Sequence, residues 1–197
     1  YSDPSQAQKE FGGPIVPGRR PDYYKIKPVT DEVFELYKGL YAYEKKPLNP
    51  VVESVDETSD LWRREKIRFQ APYGNEQVIA YLFLPKLGKP PYQCVLFMGD
   101  GSTQRQKSGE TIPPEHYVLR SGRALLYPIY KGTLDRYVKT PSDPMADRDM
   151  VIMWRKDLGS SIDYLETRND IDLARLAYMG HSLGARYSPM MLAPDGR

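Results

Sequence analysis

The stretch Arg175–Gly180, RLAYMG, runs directly into His181-Ser182-Leu183-Gly184, and ARYSPMML follows over residues 185–192. The apolar residues before Gly180 predict a buried strand. The residues from Leu183 onward predict a helix, in which Pro189 would introduce a kink. The Gly-x-Ser-x-Gly pattern is weak by itself, because such pentapeptides also arise by chance. Its position between a strand and a helix is what makes it informative.

A serine at such a turn is typical of a nucleophile elbow. The turn would hold Ser182 in a strained backbone conformation, and Gly180 and Gly184 would remove side chains that collide with the strand or the helix. The hydroxyl would then project above the carboxyl edge of the sheet, where open α/β sheets bind ligands. We therefore predict that Ser182 is a nucleophile. The alternative is a serine in an ordinary strand-to-helix turn.

Residue periodicity predicts the other elements of the chain. In chain order they are a helix over about 31–41 capped by Thr30, a hairpin of strands over 66–71 and 78–84, a buried strand over 94–98, a helix over about 113–121, a strand over 124–130 that frays or bulges at Pro128, and a long helix over about 147–167 whose apolar stripe includes Trp154. This alternation predicts an α/β fold with a mostly parallel sheet, helices on both faces and an N-terminal antiparallel hairpin.

The two ends of the chain differ from its middle. Residues 1–29 are rich in Pro, Gly, Ser and charge without periodicity, so we interpret them as a linker or extended arm. Residues 30–197 then form the N-terminal part of one domain. Because the chain begins with Tyr1 and stops soon after the serine motif, we interpret it as a fragment that lacks the last strands of the sheet.

Composition excludes several classes of function. The 28 basic and 26 acidic residues are mixed along the chain, without the basic run that a nucleic-acid partner requires. The longest apolar runs are strand-sized and too short to cross a membrane. Cys94 is the single cysteine and lies in an apolar run, so we expect it to pack as a small hydrophobe in a reducing, cytoplasmic compartment.

Residues 172–184, DLARLAYMGHSLG, resemble the elbow of the dienelactone hydrolase, acetyl xylan esterase and prolyl oligopeptidase branch of the α/β-hydrolases. The chain also resembles hydrolase domains at the C-terminal end of bacterial multidomain proteins, where they follow a protein-kinase or formylglycine-enzyme-like module. That likeness covers about residues 30–197 and is carried by the segments 41–43, 48–50, 80–85, 127–133 and 163–168. It implies an α/β-hydrolase without metal or cofactor, with a small-molecule ester as substrate and other domains of the same polypeptide as partners.

In this fold a serine nucleophile works with backbone N–H groups that stabilise an oxyanion. Leu183, the residue after the nucleophile, is one expected donor. The loop over residues 98–102 is expected to supply the other, with Asp100 as first choice and Gly101 as second. Met98 departs from the residue that related hydrolases often carry there. The alternative is a plain Gly-rich turn in which the Asp100 carboxylate faces solvent.

The general base and its acid are not visible in the chain. His181 adjoins the nucleophile but its side chain should point away from it, and His116 precedes Ser182, whereas the order in this fold is Ser, acid, His. Asp195 follows Ser182 too closely and fits a Pro-Asp-Gly turn. We therefore expect the triad acid and base in the sequence beyond Arg197.

Two residues after a predicted strand, Tyr130 and Lys131, could border a substrate pocket; a half-buried Tyr and a solvated Lys are the simpler interpretation. The main hypothesis is a serine hydrolase of carboxylic esters that acts through an acyl-enzyme on Ser182, with a peptidase as the nearest variant. The alternative from another class is a catalytically inactive hydrolase-like module for sensing or interaction in a signalling protein.

Overall fold

The computed structural model describes residues 24–106, 116–139 and 143–195. The chain divides into two compact units, residues 1–35 and 36–197. Of the predicted arm over residues 1–29, only residues 24–29 are described, and they contain neither helix nor strand. Within the described residues, no helix combines the length and the apolar character that crossing a bilayer demands.

The predicted first helix is confirmed as α1, Asp31–Leu40. Thr30 caps it, because its hydroxyl accepts the N–H of Val33 and its carbonyl accepts the N–H of Phe34. All ten residues of α1 are described and none of them is buried. The apolar face that the spacing predicts is therefore formed but lies exposed.

In the described part of the chain, six strands form one sheet in the order β1-β2-β3-β5-β4-β6. They are β1 (Val51–Asp56), β2 (Trp62–Gln70), β3 (Gln77–Pro85), β4 (Tyr92–Met98), β5 (Ala124–Ile129) and β6 (Ile171–Gly180). The predicted hairpin is confirmed, since β2 and β3 pair antiparallel over nine residues. Strand β1 was not predicted; it lies at the edge of the sheet, and its short sequence VVESVD lacks a clear alternation.

The prediction of a mostly parallel sheet is wrong for the described strands. The pairs β1/β2, β2/β3 and β3/β5 are antiparallel, and only β4/β5 and β4/β6 are parallel. Short connections join β1 to β2 and β2 to β3, and such connections produce antiparallel neighbours. Parallel pairing is confined to the strands that the helical crossovers connect.

Helices cover both faces of the sheet, as predicted. They are α2 (His116–Arg120), α3 (Pro144–Leu165) and α4 (Leu183–Leu192). Helices α3 and α4 pack on one face, where Trp154 is buried, and α2 packs on the other through Val118 and Leu119. Helix α3 begins earlier than predicted because Asp143 caps it and Pro144 is its first residue. Residues 113–115 of the predicted α2 lie outside the described residues.

Two strand predictions need correction. No bulge occurs at Pro128, which pairs with Ala80 of β3 without a shift in register, while the pairing with β4 ends earlier, at Leu126. Strand β6 is largely exposed rather than buried, because β4 is the only strand that pairs with it among the described residues. An apolar strand sequence predicts a strand, but its burial depends on what lies beside it.

Cys94 packs in the core as predicted and is fully buried. Burial raises the pKa of its thiol to about 12, because an apolar environment disfavours the thiolate. We therefore expect Ellman's reagent to detect no thiol in the folded protein at pH 8 and one thiol per chain after denaturation. A folded protein that reacts as fast as the denatured one would contradict the position of Cys94.

Candidate active site

Ser182 lies between the last residue of β6 and the first residue of α4. Its backbone has φ 48° and ψ −98°, a combination that residues other than glycine rarely adopt. Such strain persists only where the surroundings enforce it, and it is common at functional sites. The carboxyl ends of β4, β5 and β6 share this edge of the sheet, since these three strands run parallel.

Gly180 and Gly184 make this turn possible. A Cβ on Gly180 would lie 2.7 Å from the carbonyl oxygen of Gly184. A Cβ on Gly184 would lie 2.9 Å from the Cβ of Met98 and closer still to the Met98 carbonyl oxygen. Both contacts are shorter than real Cβ atoms make, so the helix can start this close to the strand only if both residues are glycine.

Hydrogen bonds fasten the turn to the end of β4. The N–H of His181 donates to Met98 O at 2.9 Å, and the N–H of Gly184 donates to Gly99 O at 3.2 Å. The hydroxyl of Tyr178 donates to Gly184 O at 3.0 Å. Burial raises the pKa of Tyr178, which keeps this hydroxyl protonated as a donor.

The loop after β4 lies against the turn and forms a short 3-10 helix, Gly101–Gln104, capped by Asp100. The Asp100 carboxylate accepts the N–H of Ser102 at 2.7 Å, and hydrogen bonds from Ser102 hold the pKa of Asp100 below its ordinary value. Among the described residues, no acceptor takes the N–H groups of Leu183, Asp100 or Gly101. These are the three donors that the sequence predicts.

Neither histidine bonds to Ser182 within the described chain. The His181 side chain is 65% exposed, and its Nδ1 lies 3.7 Å from Oδ2 of Asp100. His116 is an exposed residue at the start of α2. The structure therefore brings together the serine, the two glycines and the three predicted N–H donors, but neither histidine of the described residues reaches the serine.

Asp195 is not simply a surface turn residue. The predicted Pro-Asp-Gly turn includes Gly196, which lies outside the described residues. Within them, the N–H of Asp195 donates to Leu192 O at 2.9 Å. The carboxylate, however, is buried in a salt bridge with Arg155 of α3 at 3.0 Å. The salt bridge therefore holds the Asp195 carboxylate against α3.

Tyr130 and Lys131 also differ from their simpler interpretation. Tyr130 is 1% exposed rather than half-buried. The Lys131 ammonium is not solvated but forms a salt bridge with Glu76 at 2.6 Å. The indole N–H of Trp154 donates to Lys131 O at 2.7 Å, which fastens the loop after β5 to α3.

A buried ionic cluster that the sequence did not reveal holds the same loop. Arg136 donates to Asp157 at 2.7 Å and to the hydroxyl oxygen of Tyr73 at 2.6 Å. Asp157 also accepts the hydroxyl of Tyr73 and the N–H of Lys131. Burial raises the pKa of Asp157, and the guanidinium of Arg136 opposes that rise. The one signal in the sequence was the position of Asp157, an acidic residue directly before Leu158, which belongs to the apolar stripe of α3.

Solved structures with a similar fold include acetyl xylan esterases and a glucuronoyl esterase. The acetyl xylan esterase from Paenibacillus sp. R4 aligns with a TM-score of 0.60 at 19% identity, over 88% of this chain and 58% of its own. Acetyl xylan esterase 1 from Thermoanaerobacterium sp. JW/SL YS485 aligns with a TM-score of 0.62 at 15% identity, over 86% and 56%. The described part of the chain is thus similar in fold to these esterases, which fits the predicted α/β-hydrolase class.

A third structure of this fold, the glucuronoyl esterase from Solibacter usitatus, aligns with a TM-score of 0.54 at 17% identity, over 82% of this chain and 54% of its own. The chain thus spans between half and three fifths of the length of these esterases. No protein-family model and no curated protein sequence matches it.

The contact between α4 and β4 makes a prediction about Gly184. Gly184→Ala should lower the free energy of unfolding by about 2–4 kcal/mol, because the new methyl group overlaps the Met98 backbone. Gly39→Ala is the matched control, since nothing lies within 4 Å of a Cβ there and alanine favours the helix. Urea unfolding measures both variants. Equal stabilities of the two variants would contradict the contact.

Proposed function

We propose that this chain carries the nucleophile and the oxyanion hole of a serine hydrolase that cleaves carboxylic esters through an acyl-enzyme on Ser182. The observation that carries the proposal is the strained turn at φ 48° on the carboxyl edge of the sheet. A serine hydroxyl is presented there beside N–H groups that have no acceptor among the described residues. This arrangement supports attack on a carbonyl carbon, which turns the carbonyl oxygen into an oxyanion.

The oxyanion hole in this proposal has two sides. The N–H of Leu183 belongs to the first turn of α4, whose positive dipole end favours a developing negative charge. The second side is proposed to be the N–H of Asp100, or that of Gly101, in the loop after β4. The hydrogen bonds of His181 and Gly184 to residues 98 and 99 fix the distance between the two sides.

The general base and the acid that orients it are proposed to lie beyond Arg197 in the complete polypeptide. The order of the triad in the α/β-hydrolase fold, serine before acid before histidine, supports this. A histidine there would take the proton of Ser182 as the hydroxyl attacks the carbonyl carbon. It would give that proton to the alcohol as the tetrahedral intermediate collapses to the acyl-enzyme. Water then releases the acyl group by the same route.

The substrate is proposed to be an ester on a carbohydrate. The names of the similar structures, acetyl xylan esterase and glucuronoyl esterase, support this class. A peptidase is the nearest variant of the same fold. The rival hypothesis is an inactive hydrolase-like module, for which a strained serine beside unengaged N–H groups has no evident use.

A fluorophosphonate probe tests the nucleophile directly. In the complete polypeptide it should label Ser182, and Ser182→Ala should abolish labelling and lower ester hydrolysis by at least about 10³-fold. Ser188→Ala is the matched control, because Ser188 lies partly exposed on α4 and its hydroxyl donates to Ala185 O. Hydrolysis that persists in the Ser182→Ala variant would contradict the mechanism.

The 197-residue chain by itself should be inactive, since it would hold a nucleophile without its base. Peptide mapping after exposure to the probe should find Ser182 unmodified in this chain and modified in the complete polypeptide. Efficient labelling of the isolated chain would place the base at His116 or His181 instead, and would overturn the proposal that it lies beyond Arg197.

A further inference from the structure

Oxygen atoms of Asp100 accept hydrogen bonds from two residues that follow it, Ser102 and Thr103. Its carboxylate Oδ1 accepts the N–H of Ser102 at 2.7 Å. Its main-chain oxygen accepts the N–H of Thr103 at 3.3 Å and the hydroxyl of Thr103 at 2.7 Å. These bonds bend the chain into the 3-10 helix that begins at Gly101. The N–H groups of Asp100 and Gly101 consequently precede the bend, without an acceptor in the described chain.

The second carboxylate oxygen of Asp100 faces the nucleophile turn. Oδ2 lies 3.7 Å from Nδ1 of His181, the residue directly before Ser182. The main chain of His181 is also bound to the end of β4, through its N–H and Met98 O. His181 is therefore joined to the end of β4 and the loop after it in two ways. Its side chain lies beside the Asp100 carboxylate, and its main-chain N–H donates to Met98 O.

The negative charge of Asp100 needs compensation at this position. A carboxylate close to a developing oxyanion would oppose it by simple Coulomb repulsion. Here the carboxylate is engaged by the N–H of Ser102, and Arg105 supplies a positive charge that acts on it. The pair with His181 is partly exposed, so its contribution is modest. The hydrogen bond from the Ser102 N–H contributes more to fixing the position of the carboxylate.

We propose that the side chain of Asp100 is a positioning residue of the oxyanion hole, which sets the direction of the Asp100 and Gly101 N–H groups through Ser102 and couples the loop to the nucleophile turn through His181. The proposal rests on the proposed function. It assigns Asp100 a role for its carboxylate in addition to its backbone donor. In this role neither the carboxylate nor the backbone N–H of Asp100 undergoes a chemical reaction with the substrate.

The rate of fluorophosphonate labelling of Ser182 in the complete polypeptide tests the proposal. Asp100→Ala should slow labelling about 10- to 100-fold, because a misdirected donor costs nearly as much as a missing one. Asp100→Asn keeps an oxygen for the Ser102 N–H and should stay within about threefold of the wild type. With an ester substrate the loss should appear in kcat and leave KM nearly unchanged.

Two further variants isolate the coupling to His181. His181→Ala should slow labelling by a few-fold, and the effect should be smaller when Asp100 is already alanine, which is the mark of coupled residues. Asp60→Ala, which removes an exposed carboxylate from the loop before β2, is the control and should label at the wild-type rate. Wild-type labelling of Asp100→Ala, or equal losses in the Ala and Asn variants, would overturn the proposal.

Amide hydrogen exchange separates this proposal from the proposed function. Asp100→Ala should speed exchange of the Ser102 and Thr103 amides at least about tenfold, and Asp100→Asn should leave it unchanged. A wild-type protein that is not labelled at Ser182 would refute the proposed function whatever the exchange rates. Unchanged exchange in Asp100→Ala, with normal labelling of the wild type, would refute the positioning role alone.

Discussion

The site depends on the close approach of α4 to the end of β4, which a glycine at position 184 permits. Because Gly184 has no side chain, the helix starts against the Met98 backbone, and the N–H of Gly184 reaches Gly99 O. Gly180 allows the same closeness within the turn. A larger residue at either position would separate strand from helix by more than the turn can absorb. The strain at Ser182 follows from this contact, and so does the nearness of the loop that holds Asp100.

A second interaction keeps the neighbouring loop in place by different means. Arg136 and Asp157 form a buried ion pair whose desolvation is expensive, and the cluster offsets that cost with hydrogen bonds from Tyr73 and the main chain of Lys131. Removing one partner would leave a buried charge unpaired. The pair therefore contributes a fixed geometry to the carboxyl edge of the sheet more than it contributes stability.

The elements of the fold were largely predictable because they are recorded in local periodicity. The hairpin, strand β4, helices α3 and α4 and the turn at Ser182 all follow from spacing over a few residues. Burial and pairing were less predictable, because they depend on residues distant in sequence. Strand β6 has an apolar sequence but an open side in the described sheet, and Lys131 looks solvated until the hairpin brings Glu76 beside it. Asp195 likewise finds Arg155 only through the packing of α3.

The proposed reaction depends on one step, the formation of a covalent acyl intermediate on Ser182. Rapid mixing of the complete polypeptide with p-nitrophenyl acetate, followed by acid quenching and peptide mapping, measures it directly. The account predicts a burst of p-nitrophenol close to one equivalent and an acetyl group on the peptide that contains Ser182, both absent in Ser182→Ala. Turnover with the acetyl group on another residue, or a burst of equal size in Ser182→Ala, would contradict acylation of Ser182.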